Sequence, residues 1–245
     1  MNINPLVVDL SHWDPASDYA EVKRSGVVGV IFKSTEGTSY RDPTYVAQRD
    51  AAKAAGLLWG SYHFADGSNI DKQVRNYLEY TDPRSDELIC LDWEDNPSGS
   101  KMALSGVKRW IDTVEDLLQR PNQCVLYSGN TAKEALGNTV DEFLAKHRLW
   151  VCQYASEPEW QASWEHYWLW QFTDGEYGPQ PHTVPGIGPC DINHYDNTAY
   201  RLITEWATGA NDVAGRPPPD IIQNPAVVTV TIAAPPGVKV KVVYA

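Results

Sequence analysis

Apolar segments of strand length alternate with segments of helical periodicity along most of the chain. Residues 27–35 (VVGVIFKST) form a continuous apolar run, which is typical of a strand buried on both faces of a parallel sheet. Residues 68–81 (SNIDKQVRNYLEYT) instead place their apolar side chains along one stripe of a helix. The same patterns predict further strands at residues 5–11, 57–65, 87–94, 123–129, 149–155, 167–174 and 188–196, and further helices at residues 16–26, 42–56, 102–120 and 199–209.

The order of these segments predicts an α/β fold. Repeated strand–helix units imply a parallel sheet with right-handed crossovers. Helices are missing between the late strands, so we expect residues 1–210 to form an irregular (β/α) TIM-like barrel. Residues 211–225 are rich in Pro, Asn and Asp, which is typical of a linker. Residues 226–245 predict a short C-terminal β-hairpin, which must pack on the barrel, meet a partner or mediate self-association.

Composition and charge exclude several classes of function. The net charge is −12 and the pI is near 4.8, so the chain lacks the basic surface that nucleic acids or anionic membranes require. No apolar run has the length of a membrane span, and the N-terminus resembles no signal peptide. Ten Trp and thirteen Tyr against four Phe are typical of sugar-binding clefts, although core packing explains individual Trp residues equally well. The four cysteines form no CxxC pair, and we expect no metal and no cofactor.

Acidic residues lie at the predicted carboxyl ends of several strands, where a parallel barrel has its active site. Asp9 ends the first strand, and Asp92 and Glu94 end the fourth within the sequence LDWED. The last strand carries Asp191. Two residues apart on one strand, Asp92 and Glu94 would have Cβ atoms about 6.6 Å apart on the same side. Such a pair suits glycoside hydrolysis, which needs a protonated carboxyl at the leaving oxygen and a second acid near the sugar carbon.

The motifs around these acids resemble those of the family 25 glycoside hydrolases, the Chalaropsis-type lysozymes that are common as bacteriophage endolysins. The similar segments occur in the family's order from about residue 5 to about residue 206: VVDLSHWD, VIFKSTEGTSYRDP, GSYHFAD, LDWED, VLYSGN, LWVCQYA, LWQFTDG and CDINHYD. The sequence departs from the commonest pattern in KSTEG and at Tyr195. Residues 155–166 are individual to this chain and are expected to alter the substrate groove.

The resemblance implies an irregular β/α barrel that hydrolyses the β-1,4 bond between N-acetylmuramic acid and N-acetylglucosamine in peptidoglycan. It implies that Glu94 is the general acid and that Asp92 is its partner. Asp9 and Asp191 would be further acids of the cleft. The substrate-binding positions that it implies are Tyr62, near the reacting sugar, and Lys33, Glu36, Tyr127, Tyr154 and Gln171.

Two mechanisms remain open at this point. The 2-acetamido group of the substrate attacks the anomeric carbon with the help of Asp92, which retains configuration, or Asp92 or Asp191 activates a water, which inverts it. We prefer the first. The alternative functions are a metal-dependent hydrolase, a non-catalytic glycan-binding module and a related N-acetylhexosaminidase or chitinase-like hydrolase. The absence of clustered histidines argues against the first of these, and the intact DWE motif argues against the second.

The expected site of action follows from the missing signal peptide and from a substrate that lies outside the cell membrane. We expect the protein to be made in a host cytoplasm and to reach the cell wall after release, as a phage endolysin does. A secreted bacterial autolysin is the alternative. The expected partner is the glycan strand of bacterial peptidoglycan.

Overall fold

The computed structural model of the protein describes residues 6–97 and 99–208. The predicted linker at residues 211–225 and the predicted hairpin at residues 226–245 lie outside the described residues. Within the described part of the chain, no helix is both long enough and apolar enough to cross a membrane. The four cysteines carry free thiols, and three of them are buried.

The strands of the described residues form one large sheet and one short hairpin. In chain order they are β1 (Leu6–Leu10), β2 (Val27–Glu36), β3 (Tyr40–Arg41), β4 (Leu58–Phe64), β5 (Leu88–Asp92), β6 (Val125–Ser128), β7 (Arg148–Cys152), β8 (Leu169–Thr173), β9 (Thr183–Val184), β10 (Gly188–Pro189) and β11 (Asp191–His194). Strands β1, β2, β4, β5, β6, β7, β8 and β11 pair side by side, and β1 pairs with both β2 and β11. The sheet therefore closes into the predicted eight-stranded barrel.

Helices follow most of the early strands of the barrel and the last strand, β11. They are α1 (Tyr19–Arg24), α2 (Tyr45–Ala54), α3 (Ile70–Thr81), α4 (Leu104–Leu118), α5 (Asn130–Leu136) and α6 (Ala199–Glu205), with a short 3₁₀ helix at Leu144–Lys146. The side chain of Asp18 caps α1, since it accepts hydrogen bonds from the backbone N–H groups of the first turn. No α-helix lies in the fully described stretches between β7 and β8 and between β8 and β11. The prediction of missing late helices is confirmed.

The direction of the last strand differs from the prediction. β11 runs antiparallel to both of its neighbours, β1 and β8, whereas the other barrel pairs are parallel. A parallel partner needs a crossover that returns the chain to the other end of the sheet. Residues 174–190 contain only the β9–β10 hairpin, so the chain re-enters the barrel at the end where β8 left it. Asp191 is consequently the first residue of its strand, directly opposite Asp9.

The alternating side chains of the strands build two apolar regions. Val7 and Ile31 belong to the barrel interior, whereas Val8 and Val30 pack in the layer between strands and helices. Trp206 closes the lower end of the interior, at the amino-terminal ends of the parallel strands, where its indole donates to the carbonyl of Trp59 at 2.7 Å. Gly29 makes room for this ring, because a Cβ there would lie 2.6 Å from it.

Buried charged side chains at this lower end make several hydrogen bonds, although Nε of Arg148 has no partner among the described residues. Arg148 is fully buried and donates to the carbonyls of Glu205 at 2.7 Å and of Gln123 and Trp206 at 3.3 Å. Its guanidinium carbon lies 4.4 Å from the centre of the Trp168 ring. The carboxylate of Glu205 accepts hydrogen bonds from the hydroxyl of Tyr195 at 2.6 Å, the indole of Trp168 at 3.3 Å and the guanidinium of Arg201.

Candidate active site

A cavity of about 360 Å³ opens at the carboxyl ends of the parallel strands. Most of the residues predicted for the site meet here, although they come from six strands and from the segments that follow β5 and β7. The lining residues are Asp9, Tyr62, Asp92, Glu94, Tyr127, Trp150, Tyr154, Gln171, Asp174 and Asp191. Within the described residues, no group of three or more His, Cys, Asp or Glu side chains is arranged to hold a metal ion.

Asp9 is held in position from two sides. Gln171 donates its amide to Oδ1 of Asp9 at 2.9 Å, and Asn193 donates to Oδ2 at 2.6 Å. Asn193 is itself fixed, because its Oδ1 accepts the indole N–H of Trp150 at 2.6 Å. Burial raises the pKa of Asp9 to about 7, and the two amide hydrogen bonds oppose this rise. Asp9 is therefore oriented by neutral amides, without a paired cation.

The two acids of LDWED differ in their surroundings. Asp92 is the last residue of β5 and is buried, and its Oδ1 has no hydrogen-bond partner among the described residues. Burial, and then the charge of Glu94, raise the pKa of Asp92 well above its usual value, while Lys33 opposes the rise. Glu94 is half-buried. Burial raises its pKa, again against the opposing charge of Lys33. Raised pKa values suit groups that must carry a proton near neutral pH.

Glu94 lies beyond the end of its strand, so the prediction that β5 extends to residue 94 is wrong. The structure nevertheless fixes its position through Trp93. The backbone N–H of Trp93 donates to the carbonyl of Tyr127 at 2.9 Å, and its carbonyl accepts the hydroxyl of Ser128 at 2.8 Å. The buried Trp93 indole donates to the carbonyl of Met102 at 2.8 Å. These bonds continue the pairing with β6 for one residue and leave Glu94 at the cavity.

Gln171 connects the tyrosines of the cavity to Asp9. Its Oε1 accepts the hydroxyl of Tyr127 at 2.8 Å and the hydroxyl of Tyr154 at 3.1 Å. These bonds fix the orientation of the amide, which then presents its N–H group to Asp9. This series of hydrogen bonds, from the tyrosines through Gln171 to Asp9, fixes the orientation of the Asp9 carboxyl group.

Asp191 faces the cavity beside Asp9. It is half-buried, and burial raises its pKa to about 9, with the charges of Asp9, Asp14, Asp174 and Glu94 adding to the rise. It reaches the rim because its strand is antiparallel and begins there. The predicted location of Asp191 at the rim is therefore correct, but the expected reason is not. Asp191 lies at the amino end of an antiparallel strand, and not at the carboxyl end of a parallel one.

Lys33 and Glu36 do not line the cavity. They form an ion pair with each other at 2.7 Å, and Oε1 of Glu36 also accepts the amide of Asn96 at 3.2 Å. The ammonium of Lys33 lies 4.7 Å from the centre of the Phe64 ring. Lys33 influences the acids through its charge, which holds down the pKa values of Asp92 and Glu94.

Three residues outside the predicted catalytic and substrate-binding set also shape the site. Trp150 and Asp174 line the cavity, and Asn193 holds Asp9. Asn193 was accessible to prediction, because it lies two residues after Asp191 on one strand and shares its face. Trp150 was not, because its contact with Asn193 joins two segments 43 residues apart.

Comparisons with known proteins agree on one family. The profile described as Glycosyl hydrolases family 25 matches residues 8–180. Lysozyme M1 of Streptomyces globisporus is 26% identical over 210 residues, which are 80% of this chain and 69% of that protein. The lysozyme of Streptococcus phage Cp-1 is 27% identical over 160 residues, which are 62% of this chain and 44% of the phage protein.

Solved structures are similar over the same part of the chain. The muramidase from Acremonium alcalophilum superposes with a TM-score of 0.69 at 26% identity, over 83% of this chain and 99% of that chain. The fungal enzyme thus corresponds in length to the barrel.

Proposed function

The chain belongs to the glycosyl hydrolases family 25 and is a lysozyme-type muramidase, and from this premise we propose that Glu94 is its general acid and Asp92 its catalytic partner. The bond cleaved is the β-1,4 linkage between N-acetylmuramic acid and N-acetylglucosamine. One observation carries the assignment. A buried acid with an unpartnered oxygen lies two residues from a second acid of raised pKa, and both line the same cavity.

The unpartnered oxygen of Asp92 supports a substrate-assisted reaction. Leaving a buried acceptor without a donor costs about 1–3 kcal/mol. A bound substrate that donates a hydrogen bond to this oxygen would recover that free energy. The acetamido N–H of the reacting sugar is a donor of the required kind. Accepting it would favour the ionised form of Asp92 and direct the acetamido oxygen towards the anomeric carbon.

The proposed steps use these two acids in turn. The acetamido oxygen forms a bond to the anomeric carbon while the glycosidic C–O bond breaks, and Glu94 gives its proton to the leaving oxygen. Glu94, now ionised, takes a proton from a water that attacks the anomeric carbon from the face the leaving group has vacated. The acetamido oxygen departs, Glu94 regains its proton, and the configuration is retained.

Asp9 and Asp191 complete the cleft in this proposal. Asp9 lies in a fixed orientation and favours positive charge at the reacting sugar when ionised. Asp191 carries a proton near neutral pH because its pKa is raised to about 9, so it can donate a hydrogen bond to a sugar oxygen. Tyr62 lines the same cavity and offers an aromatic edge to the sugar.

Product analysis tests the assignment of Glu94. Wild type, Glu94→Gln and a control, Glu165→Gln at an exposed glutamate, are incubated with isolated peptidoglycan, and the soluble products are reduced with borohydride and identified by mass spectrometry. We expect reduced muramic acid ends from wild type and from the control, and none from Glu94→Gln. Equal digestion by all three proteins would show that another group is the acid.

The stereochemistry of the first product tests the role of Asp92. NMR spectra recorded within the first turnovers should show the β-anomer at the new reducing end, since assistance by the acetamido group retains configuration. An initial α-anomer would instead mean that Asp92 or Asp191 activates a water.

We also propose that the enzyme acts in the lysis of a bacterial host, after synthesis in the host cytoplasm. The similarity to a phage lysozyme supports this role. Expression of the full chain in a bacterium whose inner membrane is then permeabilised should lyse the cells, whereas the Glu94→Gln variant should not. Lysis by both proteins would overturn the proposal.

A further inference from the structure

Trp13 is the most exposed large hydrophobic residue of the described chain, with 84% of its surface accessible. All ten tryptophans lie within the described residues, and the other nine are buried or half-buried. Exposing an indole to water forgoes the stabilisation that its burial would bring, which is on the order of 2–3 kcal/mol for a large apolar side chain. Trp13 therefore contributes little to the fold in its present position.

The turn that carries Trp13 is rigid. The backbone N–H of Ser11 donates to Oδ1 of Asp14 at 2.7 Å, and the backbone N–H of Trp13 donates to the hydroxyl of Ser11 at 3.2 Å. His12 is anchored to the buried Asp42, which accepts its backbone N–H at 3.0 Å and lies 2.9 Å from its Nδ1. Hydrogen bonds therefore hold Ser11, His12 and the backbone of Trp13 in place, while the side chain of Trp13 lies in solvent.

An aromatic row extends from this turn to Lys33, near the carboxyl end of β2. The rings of Trp13 and His12 have centres 4.5 Å apart, and those of His12 and Tyr40 have centres 6.1 Å apart. Tyr40 is partly exposed, and the ammonium of Lys33 lies 5.5 Å from the centre of its ring. We call Trp13, His12 and Tyr40 the Trp13 platform.

The platform lies at the same rim as the catalytic acids. Trp13 follows β1 by three residues, on the side where Asp9 faces the cavity. Tyr40 lies on β3, opposite Glu36 at the carboxyl end of β2. Flat aromatic faces beside a polar cleft suit ligands with alternating apolar and hydrogen-bonding surfaces, and pyranose rings have this character.

We propose that the Trp13 platform is a sugar-binding subsite that stacks an N-acetylhexosamine ring of the glycan strand beyond the residues at the cleaved bond. This inference rests on the proposed function, because it extends the glycan from the cleft over the neighbouring surface. A flat, rigid and exposed ring adds binding area at little cost in conformational entropy.

Fluorescence quenching tests the platform without requiring catalysis. Because Trp13 is the exposed tryptophan of the described chain, acrylamide should quench it preferentially. The full-length Glu94→Gln protein is mixed with soluble glycan strands whose peptides have been removed by an amidase. We expect the strands to protect the quenchable fraction of the Glu94→Gln protein within seconds. The Trp13→Ala, Glu94→Gln protein lacks this reporter, so isothermal titration calorimetry measures the dissociation constants of all variants, and we expect a rise of about tenfold in this one.

Two further variants sharpen the test. Trp13→Phe keeps a flat ring and should bind within about threefold of the Glu94→Gln parent. Tyr200→Ala removes another solvent-exposed aromatic ring, from α6 at the opposite end of the barrel, and should leave the dissociation constant unchanged. Absence of protection, or equal binding by the Trp13→Ala protein, would overturn the subsite.

The failure of this proposal is distinguishable from the failure of the proposed function. New reducing ends in the Glu94→Gln samples would show that Glu94 is not the acid. Protection of Trp13 is recorded before much strand is consumed, so the subsite would still be tested.

Discussion

The two ends of the barrel both bury charged side chains, but they do so in opposite ways. At the lower end, the buried guanidinium of Arg148 meets three carbonyls, and the carboxylate of Glu205 meets three donors. At the upper rim, carboxyl groups face one another, and Oδ1 of Asp92 meets no donor among the described residues. The lower end is organised for stability, whereas the rim holds groups that destabilise the free enzyme.

This difference between the two ends indicates which of them is the functional site. Burying a like-charged cluster costs stability, and nothing in the fold of the barrel requires it. The raised pKa values of Asp9, Asp92, Glu94 and Asp191 follow directly from that burial. Perturbed pKa values of several like-charged groups in one cleft are a physical sign of function. At the lower end, burial lowers the pKa of Arg148 to about 10, but the contacts of its guanidinium are carbonyl oxygens and the Trp168 ring.

The largest expected effect comes from Asp92→Asn at the rim. We expect kcat to fall about 10²–10³-fold, because an amide no longer offers a charged acceptor to the substrate. The melting temperature should stay equal to that of wild type or rise, since a repelling charge is removed. Turnover of peptidoglycan fragments and calorimetry measure the two effects, with Asp112→Asn on the exposed face of α4 as the control. A large loss of stability in Asp92→Asn would show that Asp92 stabilises the fold, as the paired charges at the lower end do, and would contradict this contrast between the two ends.

Arg148→Met at the lower end should produce the reverse pattern. Three buried carbonyls would lose their donor, and we expect a destabilisation of about 3 kcal/mol. For a chain of this size that lowers the melting temperature by roughly 6–12 °C. The activity per folded molecule should be preserved below the transition. Arg109→Met, at an exposed pair with Asp71, serves as the control and should cost less than about 1 kcal/mol.

The pH dependence of stability should separate the ends further. The pKa of Asp191 is raised to about 9 from a value of 3.8. The folded state therefore binds the proton more tightly, and its stabilising effect is complete below pH 4 and is lost as the pH rises towards 9. Asp191→Asn should remove this loss, so that its free energy of unfolding exceeds that of wild type by several kcal/mol at pH 9 and differs little from it at pH 4. Urea unfolding across this range measures it, and parallel curves would contradict the prediction.

The smallest effect should come from Lys33→Met. The charge of Lys33 holds down the pKa of Glu94, so its removal should raise that pKa. A general acid must be protonated to act, and the alkaline limb of kcat/KM should therefore move upward, by about one pH unit or less. Lys72→Met, on the exposed side of α3, should leave the profile unchanged. A downward shift would show that Lys33 acts on the substrate rather than on Glu94.

Much of the barrel could be predicted, because its strands are long apolar runs and its larger helices are strongly periodic. Two kinds of feature could not. Helix α5 and the short strands β3, β9 and β10 have too few residues for a period to emerge. The direction of β11 is invisible to periodicity, since alternation along a strand is the same when the strand is reversed.

The site divides in the same way. Asp9, Asp92 and Glu94 could be located because the strand-end rule needs only the strand boundaries. Gln171 was also expected in the cleft, but its hydrogen bond to Asp9 could not be predicted, since the two residues lie 162 positions apart and meet only in space. Lys33 and Glu36 satisfied the same rule but turned towards each other, because an ion pair at a partly exposed rim is available to both.

The closure of the barrel by its last strand has a consequence for biosynthesis. The carboxyl group of Asp9 receives a hydrogen bond from a residue 184 positions later. A ribosome that has completed β5 has already made Asp9, Asp92 and Glu94, yet the strand that closes the sheet does not exist until β11 emerges. A chain that ends before β11 therefore contains Asp9, Asp92 and Glu94 but lacks the closed barrel that brings them together. We therefore expect hydrolytic activity only after β11 has been synthesised and has closed the barrel.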